Sequence, residues 1–191
     1  MTLTTVAAYF LIFVFFIIER LLRKGKQALS LKPGVADAGS SPILWFGGAI
    51  NLLLIIVAPT LNTYQIGHWR NAYIGWVGLI LMLGGIVMRY WAAKTLGEFY
   101  TRTLQIIEGQ EIVTQAPYNL IRHPGYLGTS LIGIGAALAV TNWVVVLAFI
   151  VIEFASKAYR IKAEEKMLEA KFGEQYKDYS SKTWKLIPYI F

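Results

Sequence analysis

The chain has 191 residues, of which 56% are hydrophobic and only 15% charged, and its mean hydropathy is +0.52; a soluble chain carries about one-quarter charged residues. These figures exclude an ordinary soluble domain and a disordered segment, and the absence of cysteine excludes a disulfide scaffold and thiol chemistry. The net charge of +7 is carried between and after the apolar runs, a placement that points to anionic lipid headgroups and not to nucleic acid.

At about 20 residues per crossing, the length holds four to six spans. The first runs from Met1 to Ile18 without a charge and is closed by Glu19, Arg20, Arg23, Lys24 and Lys26; positive charge after the apolar run, not before it, favours a span over a cleaved leader. Lys32-Pro33-Gly34 and Gly39-Ser40-Ser41-Pro42 mark a loop. A second span covers Ile43 to Leu61. After a short loop to Arg70, a third covers about Ala72 to Trp91, where Gly75, Gly78, Gly84 and Gly85 permit close helix approach. Hydropathy then falls from Ala92 to Ile121, and the turn-like Glu108-Gly109-Gln110 predicts a short hairpin or an irregular connector.

Pro124 to Ile152 is uncharged. One helix of that length, at about 1.5 Å per residue, would exceed the roughly 30 Å hydrocarbon core by almost half. It therefore divides at Thr141-Asn142-Trp143 into two antiparallel helices, Pro124 to Val140 and Trp143 to Arg160. From Ile161 the tail reads as a separate amphipathic helix on the membrane surface, with Met167, Leu168 and Phe172 as its apolar stripe and Gly173 interrupting it. The expected fold is an all-α integral membrane protein with five transmembrane helices, the last two a helical hairpin, plus a cytoplasmic connector and a C-terminal amphipathic helix. It forms one membrane domain over residues 1–191, with three transmembrane helices in 1–91 and the polar motifs in 92–191.

Basic residues alternate along the chain. The first loop holds Arg20, Arg23, Lys24, Lys26 and Lys32, the second only Arg70, and the connector Lys94, Arg102 and Arg122; the Asn142 turn holds none, and eight follow from Lys157 onward. That alternation predicts the N-terminus outside and the C-terminus in the cytoplasm.

A hairpin returns two polar clusters to one face. Arg122-His123-Pro124-Gly125-Tyr126 precedes the fourth span, and Arg160 with Glu164 and Glu165 follows the fifth. Pro124 suits the first position of a helix, whose free N–H groups and dipole attract an anion with help from Arg122 and His123. Glu164 and Glu165 suit an ammonium or a ribose hydroxyl, and Tyr126 offers an aromatic face with a hydroxyl, so the set matches a zwitterionic ligand. No metal set is visible, because His68 and His123 are the only histidines and fall on opposite expected sides. Plainer readings stand beside these. Arg160 and Glu164 are spaced for a helical ion pair, and His123 for a helix cap. Tyr126, and more so Tyr176 and Tyr179, suit interfacial anchors, and Glu153 is expected to pair with Lys157. Whether Glu98, Tyr100 and Arg102 on the connector close over a ligand stays open.

The run Asn119-Leu120-Ile121-Arg122-His123-Pro124-Gly125-Tyr126-Leu127-Gly128 resembles the RHPxYxG motif of the isoprenylcysteine carboxyl methyltransferase and phospholipid methyltransferase families. Arg160-x-x-x-Glu164-Glu165, followed by Phe172-Gly173-Glu174-x-Tyr176-x-x-Tyr179 and Pro188, is similar to their C-terminal signature. The resemblance covers about Leu96 to Pro188. It implies S-adenosylmethionine as methyl donor, with S-adenosylhomocysteine as product. The donor would be bound at the cytoplasmic face by Arg122, His123, Pro124, Tyr126 and Gly128 and by the Glu164–Glu165 pair. Arg160 and Glu165 would take the catalytic roles, Arg160 lying near the acceptor. An isoprenylcysteine-type carboxylate is the favoured acceptor. A phospholipid amine and a small hydrophobic thiol or acid are the alternatives, and a non-enzymatic membrane protein is the reading from another class. A long-tailed acceptor is expected to arrive sideways from the bilayer, past Gly84 and Gly85 of the third span and Gly128, Gly133 and Gly135 of the fourth.

Overall fold

The computed structural model describes residues 1–23, 34, 37–101 and 103–189. Lys24, Lys26, Lys32, Pro33 and Arg102, which figure in the loop assignments above, lie outside the described residues. Among the described residues six α-helices follow in order: α1 (Leu3–Leu22), α2 (Ser40–Thr63), α3 (Ala72–Leu96), α4 (Pro124–Ala139), α5 (Trp143–Phe172) and α6 (Glu174–Ser181). No strand occurs among the described residues, and the connector is irregular, with a turn at Glu108–Gly109 in place of a hairpin. Helices α1, α2 and α3 are each long and apolar enough to cross a membrane, and α4 is apolar over 16 residues. The protein is an integral membrane protein of the all-α class.

Local chemistry sets the helix starts. Thr2 and Asn71 cap α1 and α3 with side-chain oxygens that accept from Thr5 N and Tyr73 N, and Pro124 opens α4, where its missing N–H costs nothing. Asn142 both caps α5 and closes the hairpin. Its Oδ1 accepts from Val145 N at 3.1 Å, while its Nδ2 donates to Asn62 Oδ1 and to Ile66 O, each at 2.8 Å. The loop after α2 is thereby zipped to the α4–α5 turn, completed by Trp143 N on Gly67 O at 2.9 Å.

The hairpin is antiparallel as expected, but the tail differs. Helix α5 runs unbroken through Ile161 to Phe172, so no separate surface helix begins there. The run KAEEKMLEAK is made of strong helix formers with no breaker, and Ile161 and Met167 are buried in the protein instead of facing a membrane surface. Gly173, at φ +55°, ends the helix in a conformation that side chains resist.

Small residues decide the packing. Helices α3 and α4 meet along glycines: a Cβ on Gly85 would lie 2.6 Å from Gly128 O, and one on Gly135 would lie 2.5 Å from Gly78 O. Gly84 faces open space instead. The glycines at this seam serve close helix approach, the use their small size allows. Helix α1 leans on α3 and α4 through Thr4, whose hydroxyl donates to Ala139 O at 2.8 Å, and α2 packs on α5 where Gly47 meets Ser156. Tyr9 of α1 donates to Ile55 O of α2 at 3.0 Å. From that contact toward the Arg23 end of α1, residues of both helices line one cavity.

Candidate active site

The cavity has a volume of about 490 Å³, within the size range of small-molecule sites. One end is apolar, walled by Ile12 and Phe15 of α1, Leu52 and Ile55 of α2, and Ile132 and Phe149 of the hairpin. The other end is polar and carries Arg122, His123, Tyr126, Arg160, Glu164 and Tyr176. The hairpin does what the sequence required of it. Its register pairs Gly133 with Phe149, then Ser130 with Glu153, and finally Tyr126 with Arg160 and Glu164, so the clusters before α4 and within α5 meet.

Tyr126 is the hub of the polar end. Its hydroxyl donates to Glu164 Oε2 at 2.6 Å and accepts from Arg160 Nε at 3.0 Å, and its ring stacks on His123 with centroids 5.5 Å apart. The i, i+4 pair between Arg160 and Glu164 does not form. Arg160, 4% exposed, sends Nη1 instead to Asp37 Oδ1 at 2.8 Å and to the hydroxyls of Ser40 and Ser41 at 3.0 and 2.8 Å. Its charge is already answered by a carboxylate 123 residues away. Glu164 keeps Oε1 without a hydrogen-bond partner among the described residues.

Glu165 does not line the cavity, although its partners Arg122 and His123 do. Its Oε1 accepts from Arg122 Nε at 3.0 Å and lies 3.3 Å from His123 Nε2, while Oε2 lies 3.2 Å from Lys185 Nζ. Burial opposes its ionisation, but the hydrogen bond and attraction of His123, joined by those of Arg122, outweigh it and bring the pKa down to about 2. Arg122 in turn holds the tail, donating to Ser180 O at 2.8 Å and to Thr183 O, while its own N–H reaches Trp184 O at 2.8 Å. Of the residues expected to hold a cofactor, Glu165 and Arg122 thus form a clasp for the C-terminal segment. Pro124 starts α4, and Gly128 lies in the α3–α4 seam, where a Cβ would come 2.8 Å from Arg89 N.

Three groups on the cavity wall are absent from the expected site residues. Tyr176, expected at an interface, is 5% exposed, and its hydroxyl has no hydrogen-bond partner among the described residues. Burial, with the Glu165 carboxylate nearby, pushes its pKa up, so it stays a donor. Asn51 of α2 is equally buried, with both amide atoms unpartnered. Arg89 of α3 pairs through Nε with Glu19 Oε1 at 2.7 Å and lies 4.9 Å over the Tyr100 ring. A charge within a span is a functional signal by default, and Arg89 was legible on that ground. Glu153 and Lys157 pair at 2.5 Å as expected, and Lys157 also donates to Thr129, Ser130 and Tyr126 O. Among the described residues no group of three or more His, Cys, Asp and Glu side chains could hold a metal ion.

Residues 76–170 match the sequence pattern of the isoprenylcysteine carboxyl methyltransferase (ICMT) family. The chain is 32% identical over 120 residues to a probable protein-S-isoprenylcysteine O-methyltransferase of Oryza sativa subsp. indica, covering 62% of this chain and 63% of that protein. It is 32% identical over 138 residues to protein-S-isoprenylcysteine O-methyltransferase A of Arabidopsis thaliana, covering 71% and 66%. Its fold is similar to the solved structure of the eukaryotic intramembrane Ras methyltransferase ICMT, with a TM-score of 0.65 at 27% identity over 74% of this chain and 52% of that one. The chain thus spans somewhat under two thirds of the length of these curated relatives.

Proposed function

The chain belongs to the isoprenylcysteine carboxyl methyltransferase family, and from that premise we propose that it transfers a methyl group from S-adenosylmethionine to the carboxylate of a lipophilic, isoprenylcysteine-type acceptor. The observation that carries the reading is the two-ended cavity, polar where α4 begins and apolar between α1, α2 and the hairpin. A cofactor with charged ends fits the first end and a hydrocarbon tail the second. The fit to the cofactor rests on groups with unused hydrogen-bonding capacity: Glu164 Oε1 for an ammonium or ribose hydroxyl, and the buried Tyr176 hydroxyl for an acceptor atom. The sulfonium supplies an electrophilic methyl group, so no metal or covalent intermediate is needed.

The residues of the chain align and exclude water. An acceptor carboxylate oxygen forms the new O–CH₃ bond as the C–S bond breaks, with its electron pair left on sulfur; a methyl ester and a neutral thioether result, and no proton moves. Tyr126, held between Glu164 and Arg160, would help to hold the cofactor. Arg160 is then a positioning residue for Tyr126, not the partner of the acceptor. Residues 1–91 and the hairpin together wall the tail chamber, and 92–191 supply the cofactor end of one membrane domain. The site faces the cytoplasm, with the N-terminus outside, on the charge alternation along the chain.

Purified protein incubated with labelled S-adenosylmethionine and N-acetyl-S-farnesylcysteine is expected to yield a base-labile methyl ester, and Tyr176→Phe to weaken cofactor binding. Folded protein that binds no S-adenosylmethionine would overturn the reading. Label found in phospholipid headgroups instead would move it to amine methylation.

A further inference from the structure

Beside the cofactor end, the cavity wall carries a second charged cluster that the motifs do not include. Glu19 and Arg23 end α1, Arg89 lies on α3, and Tyr100 follows it on the connector. Glu19 accepts from Arg89 Nε and from the Tyr100 hydroxyl, each at 2.7 Å, and pairs with Arg23. Both guanidinium groups lie over the Tyr100 ring, at 4.9 and 5.3 Å. All three ionic side chains are mostly buried, at 6% exposure for Glu19, 12% for Arg23 and 13% for Arg89.

The charges do not balance. Two guanidinium ions face one carboxylate, and the charged side chains of residues 24–36 and of position 102 are Lys24, Lys26, Lys32 and Arg102, all basic. Arg160, by contrast, is matched by Asp37, and Glu164 stands across the Tyr126 hydroxyl from it. Hydrogen bonding is incomplete too: Arg23 Nε is buried with no partner among the described residues. An unmatched positive charge in a low-dielectric wall is costly unless an anion joins it. The position suits an acceptor, since Arg89 Nη1 lies 2.7 Å from where a Cβ on Gly125 would be, in the first turn of α4 beside Tyr126. There the helix dipole adds to the attraction.

We propose that Arg23 and Arg89 form the acceptor-carboxylate site, with Glu19 as the internal counterion that positions both guanidinium groups and limits their pull on the anion. The inference rests on the acceptor being an acid. It divides the cavity electrically, with the cationic cofactor at the Glu164 end and the anionic acceptor at the Arg89 end. A cluster that merely staples α1 to α3 would lose by any change. An anion site has opposite responses to removing its positive and its negative members.

The experiment measures equilibrium binding of N-acetyl-S-farnesylcysteine and of its uncharged carboxamide, in neutral maltoside detergent with S-adenosylhomocysteine present, so that the result does not depend on turnover. Wild-type protein is expected to bind the acid at least tenfold more tightly than the carboxamide. Arg23→Gln should lose most of that preference while S-adenosylhomocysteine affinity stays within twofold, and Glu19→Gln should tighten acid binding several-fold. A preference that survives in Arg23→Gln overturns the proposal, as does acid binding weakened in Glu19→Gln protein that still binds S-adenosylhomocysteine. If Glu19→Gln does not fold, the wild-type and Arg23→Gln comparison decides. An effect that appears only after anionic phospholipid is added would assign the cluster to lipid headgroups and overturn it as well. Failure of the methyl-transfer reading would show separately, as absence of ester product with acid binding intact.

Discussion

Arg160 and Asp37, 123 residues apart in sequence, are joined at 2.8 Å with both side chains under 5% exposed. Asp37 also accepts from Ser40 and Ser41, so the start of α2 and the middle of α5 close around one buried ion pair. Removing one partner of such a pair costs about 3–5 kcal/mol, because the other charge is left buried and unmatched. Asp37→Ala should therefore lower the melting temperature in detergent markedly. Replacing both by apolar residues, Asp37→Leu with Arg160→Met, should recover most of the loss yet leave turnover low, since Tyr126 would lack its Arg160 donor. Calorimetry and methyl transfer on the same samples check both halves.

Glu165 makes a pH prediction. Its pKa falls from 4.5 unfolded to about 2 folded, so its contribution to stability is complete above the unfolded value and is lost as pH falls toward the folded one. The difference in melting temperature between wild type and Glu165→Gln should be present at about pH 5 and shrink below about pH 4.5. A difference that vanished near neutral pH would contradict the clasp of Arg122, His123 and Lys185 on this carboxylate.

The α3–α4 seam separates glycines that look alike in sequence. Gly128→Ala puts a methyl group 2.8 Å from Arg89 N and 2.9 Å from Gly85 O, both backbone atoms that cannot swing aside. A cost of about 1–3 kcal/mol is expected, as for overpacking elsewhere. Gly84→Ala meets nothing within 4 Å and should leave thermal stability unchanged.

Gly48 tests how the acceptor arrives. It lines the cavity from α2, and an added Cβ there has no neighbour within 4 Å, so a large side chain fits without disturbing the helices. Gly48→Trp should obstruct the space between α1 and α2, lowering kcat/KM for a farnesylated acid by about tenfold, near 1.4 kcal/mol. Affinity for S-adenosylmethionine should not change. Equal turnover of long- and short-tailed acids in this variant would place the route elsewhere.

Much of this architecture follows from sequence-local physics. Uncharged stretches of crossing length, the polar break at Asn142 and the proline opening α4 are properties of neighbouring residues, and they set α1 to α4, the hairpin and the meeting of Tyr126 with the α5 cluster. The segment from Ile161 is helical as expected, but its continuity with α5 and its inward face are not legible, because an amphipathic stripe has the same period whether it faces lipid or protein, and only packing shows Met167 turned inward. Partnership is a tertiary property. Arg160 stands four residues from Glu164, yet a carboxylate delivered by the loop before α2 takes its Nη1, and Glu164 turns to Tyr126. Likewise Glu19 and Arg89 are 70 residues apart on two helices whose contact no spacing rule foretells. Spacing along one helix fixes which side chains share a face; which of them is neutralised, and which is left with unspent charge, depends on the chain segments folded against that face.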